Sequence, residues 1–218
     1  VKKKISIGLI IIGIILALIP TIKDKIIKYN IKNKSEIIEI ITHEEIINNM
    51  ENEAEFNYEA IDDVGTISTV IGAIKFDNKF MIGQLIVPDL DINLPILKGV
   101  TNANLLAGVT TMVPEQKMGE GNYPVAGHRM KQKNLLFGSL MDIEIGSIVY
   151  ITDKETIYEY TIYDTVVVSD TAMEMLDNKR AEEKGKPIIS LMTCYYSSNT
   201  GKRFFALGEL TDEYVVED

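Results

Sequence analysis

From about Ile74 the chain is cut into short β-rich runs separated by Gly, Pro, Asn and Asp, and this pattern restricts its fold more than any other feature. Met81 to Val87, Ile92 to Leu97, Asn122 to Ala126, Ser147 to Thr152, Ile157 to Val168, Ile188 to Thr193 and Phe204 to Leu210 all read as strands. Seven or eight strands this short fold as an all-β sandwich or a closed barrel. Asn102 to Ala107 and Leu135 to Met141 each have room for a helical turn or two. The 19 residues from Ser169 to Pro187 form a long connection, and such connections in compact domains are often functional.

The N-terminal third is built differently. Lys2-Lys3-Lys4 precede an apolar stretch, and Ile5 to Ile22 makes 18 residues, enough to cross about 30 Å of hydrocarbon at about 1.5 Å per residue. A cleavable signal peptide shares the basic start, but no small-x-small cleavage site follows and Lys23 and Lys25 come at once. The expectation is a single-pass membrane anchor over 1–22, N-terminus inside, with the acidic remainder outside the cell. Ser35 to Asp63 carries ten acidic residues and no Lys or Arg, with isoleucines at three and four spacings. It reads as amphipathic helix, and Thr42 with Glu45 forms a capping box that starts a helix near His43. Residues 23–73 are thus expected to be an acidic helical stalk, used as a spacer or folded back onto the domain, with His43 exposed and inert. The third segment, 74–218, is the catalytic-size domain.

A net charge of -10 and a pI near 4.8 exclude nucleic acid as a partner, because no basic patch could neutralise several phosphates. The chain has one cysteine, Cys194. An exported chain with one Cys cannot pair it internally, so a free thiol is expected. Free cysteines are more often small buried hydrophobes than nucleophiles. Here, however, Cys194 ends one strand, Arg203 starts the next, and His128 follows the run ending in Ala126. The turn chemistry of Ser197-Ser198-Asn199-Thr200-Gly201 favours antiparallel pairing that sets Cys194 opposite Arg203. A thiol needs a neighbouring imidazole or guanidinium to favour thiolate, and a guanidinium can donate to an oxyanion.

Thr193-Cys194 preceded by Ile189-Ser190-Leu191-Met192, with Arg203 downstream and Ala126-Gly127-His128 upstream, resembles the sortases, whose signature is a T-L-x-T-C strand end with a separate His and Arg. Ser190 stands in place of the first Thr of that signature. Met118 to Tyr123 and Leu135-Leu136-Phe137-Gly138 look like the class A housekeeping sortases of Gram-positive bacteria. The resemblance covers roughly Lys75 to Leu210. It implies an eight-stranded β-barrel with short helices and transpeptidation of surface proteins bearing an L-P-x-T-G signal. Carried over by position, Cys194 would attack the Thr-Gly carbonyl, His128 would protonate the leaving amine, and Arg203 would hold the oxyanion. Thr193 and Ala126 would lie at the substrate. The long connection would wall the signal groove with Ala172, Met173, Met175 and Leu176. A cell-wall precursor amine of the lipid II type would resolve the thioester.

Some class A members bind calcium through the loop before the His and the long connection. Here Lys117 lies between Glu115 and Glu120, and a hard cation needs several converging oxygens. No metal ligands and no required cofactor are expected. A pilus-polymerising relative would bring an Asp-Pro-aromatic lid plug and often a C-terminal span, and neither is seen. A non-catalytic anchored β-domain would leave Cys194 inert, so thiol reactivity separates the two readings. A papain-like protease places its Cys before its His, the reverse of the order here.

Overall fold

In the computed structural model, residues 39–61 and 77–216 are described, with scattered helical positions upstream. The anchor expected over 1–22 falls largely outside the described residues, as does 62–76. Among the described residues no helix is long and apolar enough to cross a membrane.

The strands are β1 (Met81–Val87), β2 (Ile92–Leu97), β3 (Val109–Thr111), β4 (Asn122–Ala126), β5 (Ile148–Thr152), β6 (Thr156–Ser169), β7 (Ile188–Cys194) and β8 (Lys202–Val215). They close into a barrel in the order β1-β2-β3-β4-β7-β8-β6-β5, with β5 pairing back to β1. Among the described residues every strand is thus paired on both sides. β3 is the strand the sequence pattern does not announce. Its three residues follow Gly108 and exist because β2 pairs them in parallel and β4 antiparallel. Inside the barrel Leu85, Ile96, Val125, Val149, Tyr160 and Leu191 are essentially inaccessible to solvent. Burial pushes the hydroxyl pKa of Tyr160 well above the usual tyrosine value.

Helix α1 (His43–Met50) begins where the capping box places it, with Thr42 Oγ1 accepting from Glu45 N and the Glu45 carboxylate accepting from Thr42 N. It lies against β1 with Ile46 fully buried. Asn49 Nδ2 donates to the Met81 carbonyl at 2.8 Å, and Lys98 Nζ donates to the carbonyls of Met50 and Asn52 at the helix's C-terminal end, where an ammonium complements the helix dipole. His43 is not inert. Its ring is 32% exposed, with Nδ1 3.0 Å from the Asp153 carbonyl and Nε2 3.1 Å from the Glu155 carboxylate.

Helix α2 (Asn102–Ala107) matches the expected span. Leu135 to Met141 does not form the expected helix; only a 3-10 turn, Leu140–Asp142, appears there. Leu136 takes a φ of 46°, a left-handed conformation that breaks helix propagation. The long connection carries a 3-10 turn at Met173–Met175 and helix α3 (Lys179–Lys184), which ends on Gly185 at φ 69°.

Candidate active site

β7 is the central element. It pairs in parallel with β4, Ala126 opposite Met192, and antiparallel with β8, Cys194 opposite Arg203. His128, Cys194 and Arg203 therefore emerge at the same end of the barrel. All three are buried, at 2%, 3% and 7% exposure. The β7–β8 connection closes through Tyr195 N donating to the Lys202 carbonyl at 3.1 Å, a 3-10 turn at Ser198–Thr200 and Gly201 at φ 61°. This is the hairpin the turn residues imply.

The backbone before His128 is fixed by three contacts. Gly127 N donates to the Met192 carbonyl at 3.0 Å, Thr193 Oγ1 donates to the Gly127 carbonyl at 2.9 Å, and Phe137 N donates to the His128 carbonyl at 3.1 Å. A Cβ at position 127 would sit 2.5 Å from Phe137 Cδ2, so only glycine lets the aromatic ring pack this close to the backbone beside His128. Thr193 is fully buried and its hydroxyl is engaged with Gly127. This places it behind the site as a tie between β7 and the His128 segment. Ala126 is likewise fully buried, in the apolar cluster that holds Cys194.

That cluster continues into the wall formed by the long connection. Met175 and Leu176 pack with Met192, Cys194 and Phe205, and a cavity alongside is lined by Ile61, Ala172, Met173, Leu176, Met192 and Arg203. Of the four residues expected to form a wall, Ala172, Met173 and Leu176 line this cavity, while Met175 is fully buried in the cluster behind it. Met173 is half exposed at its rim.

Two contributions have no signal in the sequence. The first is the chain's own segment 56–61. Phe56 bridges in parallel to Val100, Tyr58 Oη donates to the Met112 carbonyl at 2.7 Å, and Ala60 and Ile61 are buried against the Cys194 cluster. The Ile61 carbonyl accepts from Cys194 Sγ at 3.4 Å. The second is Arg129. Its Nη1 donates to the Tyr196 carbonyl at 3.0 Å, and its guanidinium stands 5.5 Å from the Tyr196 ring centroid. It clasps the loop after Cys194 to the residue after His128. Both contacts join residues far apart in the chain, beyond the reach of periodicity or spacing.

A thiol, an imidazole and a guanidinium at one end of a closed eight-stranded barrel define a thiol acyl-transferase site. The family model described as Sortase domain matches residues 85–211, and the chain belongs to the sortases, which are cysteine transpeptidases. Within the family it is class A-like. It is 40% identical to Sortase A of Listeria monocytogenes over 96% of this chain and 91% of that protein, and 30% identical to Sortase A of Streptococcus agalactiae over 96% and 85%. The structure of Listeria monocytogenes sortase A superposes with a TM-score of 0.59 at 41% identity, covering 64% of this chain and 92% of that one. Sortase C-3 of Streptococcus pneumoniae, at 21% identity, shares the fold with a TM-score of 0.63 over 87% and 94%.

Proposed function

We propose that the chain cleaves an L-P-x-T-G signal between Thr and Gly and joins the surface protein to a cell-wall precursor amine of the lipid II type. The observation that carries this reading is the placement of Cys194 on β7 between Arg203 on β8 and the His128 segment leaving β4. The Cys194 thiolate attacks the Thr carbonyl carbon. The C–N bond to Gly breaks, His128 supplies the proton taken by the leaving amine, and a thioester remains on sulfur. The acceptor amine then attacks the thioester carbonyl and gives a proton to His128, and the thiolate departs. Arg203 donates to the oxyanion of both tetrahedral intermediates. The apolar groove beside Met175 and Leu176 takes the Leu and Pro of the signal, which requires Ile61 to withdraw from the sulfur. Cys194→Ala abolishes the thioacyl adduct seen by mass spectrometry with an L-P-x-T-G peptide; continued turnover by that variant would overturn the reading.

The enzyme works on the outer face of the cell membrane, held by a single N-terminal span whose support is the apolar run Ile5 to Ile22. It needs no calcium. Lys117 Nζ lies 3.7 Å from the Glu120 carboxylate and supplies the positive charge that a cation would bring to that loop. EDTA therefore leaves peptide turnover unchanged; loss of activity restored by added calcium would reverse this assignment.

A further inference from the structure

One buried side chain joins the start of β4 to the connection that walls the groove. Asn122 is 3% exposed and every polar atom of its side chain is used. Its Oδ1 accepts from Ser190 Oγ at 2.8 Å, and its Nδ2 donates to the carbonyls of Met175 and Asp177, each at 3.0 Å. Its main-chain NH donates to Asn178 Oδ1 at 2.8 Å. Ser190, in the middle of β7, is fully buried and orients the amide so that both amide protons face the connection. Met175, whose carbonyl the Asn122 amide holds, and the neighbouring Leu176 belong to the apolar cluster that contains Cys194.

We propose that Asn122 is a positioning residue for substrate. It fixes how far the Met173–Leu176 turn stands from β7 and so sets the groove's fit to the sorting signal, without contact with the reacting atoms. This rests on the reading of the groove as the signal site. A buried amide with two carbonyl acceptors cannot be replaced by a carboxylate, which would turn lone pairs toward the Met175 and Asp177 carbonyls. Ser190→Ala removes only the hydroxyl that orients the amide, whereas Ser190→Thr keeps it.

The test compares wild type, Asn122→Asp, Ser190→Ala and Ser190→Thr on an L-P-x-T-G peptide, with hydrogen exchange of residues 172–178 followed in the absence of peptide. Expected for Asn122→Asp is a KM raised roughly tenfold, the scale of one lost buried hydrogen-bond partner, with kcat per titrated thiol changed far less. Faster exchange in the connection accompanies it. Ser190→Ala shows a smaller effect of the same kind and Ser190→Thr retains wild-type KM. A structural role alone would lower the folded fraction and leave KM where it was. Unchanged exchange in Asn122→Asp overturns the tie itself, and faster exchange with unchanged KM overturns its role in substrate fit. A wild-type protein that forms no acyl adduct with the peptide refutes the reading of the groove instead, and the two failures are thereby told apart.

Discussion

The two seams of β7 deliver catalytic groups by opposite means. On the β8 side the partner is the next strand: Cys194 and Arg203 are joined by a short loop with strong turn chemistry, and the turn sets the register. On the β4 side the partner lies far back in the chain, with Thr193 and Gly127 separated by 66 residues. No turn dictates that parallel register, and closing so long a loop carries a larger entropy cost. The structure places buried side-chain hydrogen bonds along this seam, Thr193 to Gly127 at one end and Ser190 to Asn122 at the other. At the far end of β8, where Glu209 stands opposite Ile188, the charged contact comes instead from helix α3, a partly exposed ion pair of Lys184 Nζ with the Glu209 carboxylate at 2.7 Å. The comparison teaches that where the local chain does not specify register, buried polar side chains do so.

The largest test of this difference is removal of the group each seam delivers. His128→Ala lowers kcat/KM by about 10²–10⁴-fold, as expected for loss of an acid–base group. Arg203→Ala costs about 10²–10³-fold, with Arg203→Lys restoring part of it because an ammonium still donates to the oxyanion. Steady-state kinetics on one peptide measure both, and an Arg203→Ala variant with wild-type kcat/KM would remove the oxyanion role assigned to it.

Next comes the tie itself. Thr193→Val removes the donor to the buried Gly127 carbonyl and lowers unfolding free energy by about 1–3 kcal/mol, read by denaturant titration, with kcat falling as the His128 segment loosens. A Thr193→Val protein as stable and active as wild type would show that backbone pairing alone sets the parallel register.

The smallest effect belongs to the α3–β8 ion pair beside the β8 seam. Lys184 beside Glu209 holds that carboxyl below its ordinary value of 4.5. A folded-state value lower than the unfolded one gives stability that is present above pH 4.5 and is lost as pH falls through the folded value. Glu209→Gln therefore lowers stability at neutral pH by about 0.2–1 kcal/mol, and the gap to wild type closes in acid. A gap that persists in acid would assign the loss to packing instead.

The same contrast explains what could be read in advance. Seven strands, the α1 capping box and the Cys194–Arg203 pairing follow from alternation, caps and turn residues, all local signals. His128 was a candidate as the imidazole after the run ending in Ala126, but nothing local sets it beside Cys194, and its acid–base role came from the family resemblance. The role proposed for Asn122 was hidden because the start of a strand carries no sign of the acceptors its side chain meets, which lie on the far connection. His43 was misjudged for the same reason, its partners Asp153 and Glu155 being about 110 residues away. The 3-10 turn at Tyr58–Ile61 has no periodicity to reveal it, and it forms against the barrel's own groove.

The Ile61 carbonyl over Cys194 has a consequence for how long the protein lasts. Sulfur oxidises stepwise, and beyond the sulfenic stage the change is effectively permanent. At 3% exposure the thiol is screened from peroxide by a cover to which Ala60 and Ile61 contribute together with Met175 and Leu176. The same packing that screens the sulfur from substrate also screens it from oxidant, so an idle molecule keeps its nucleophile reduced by burial.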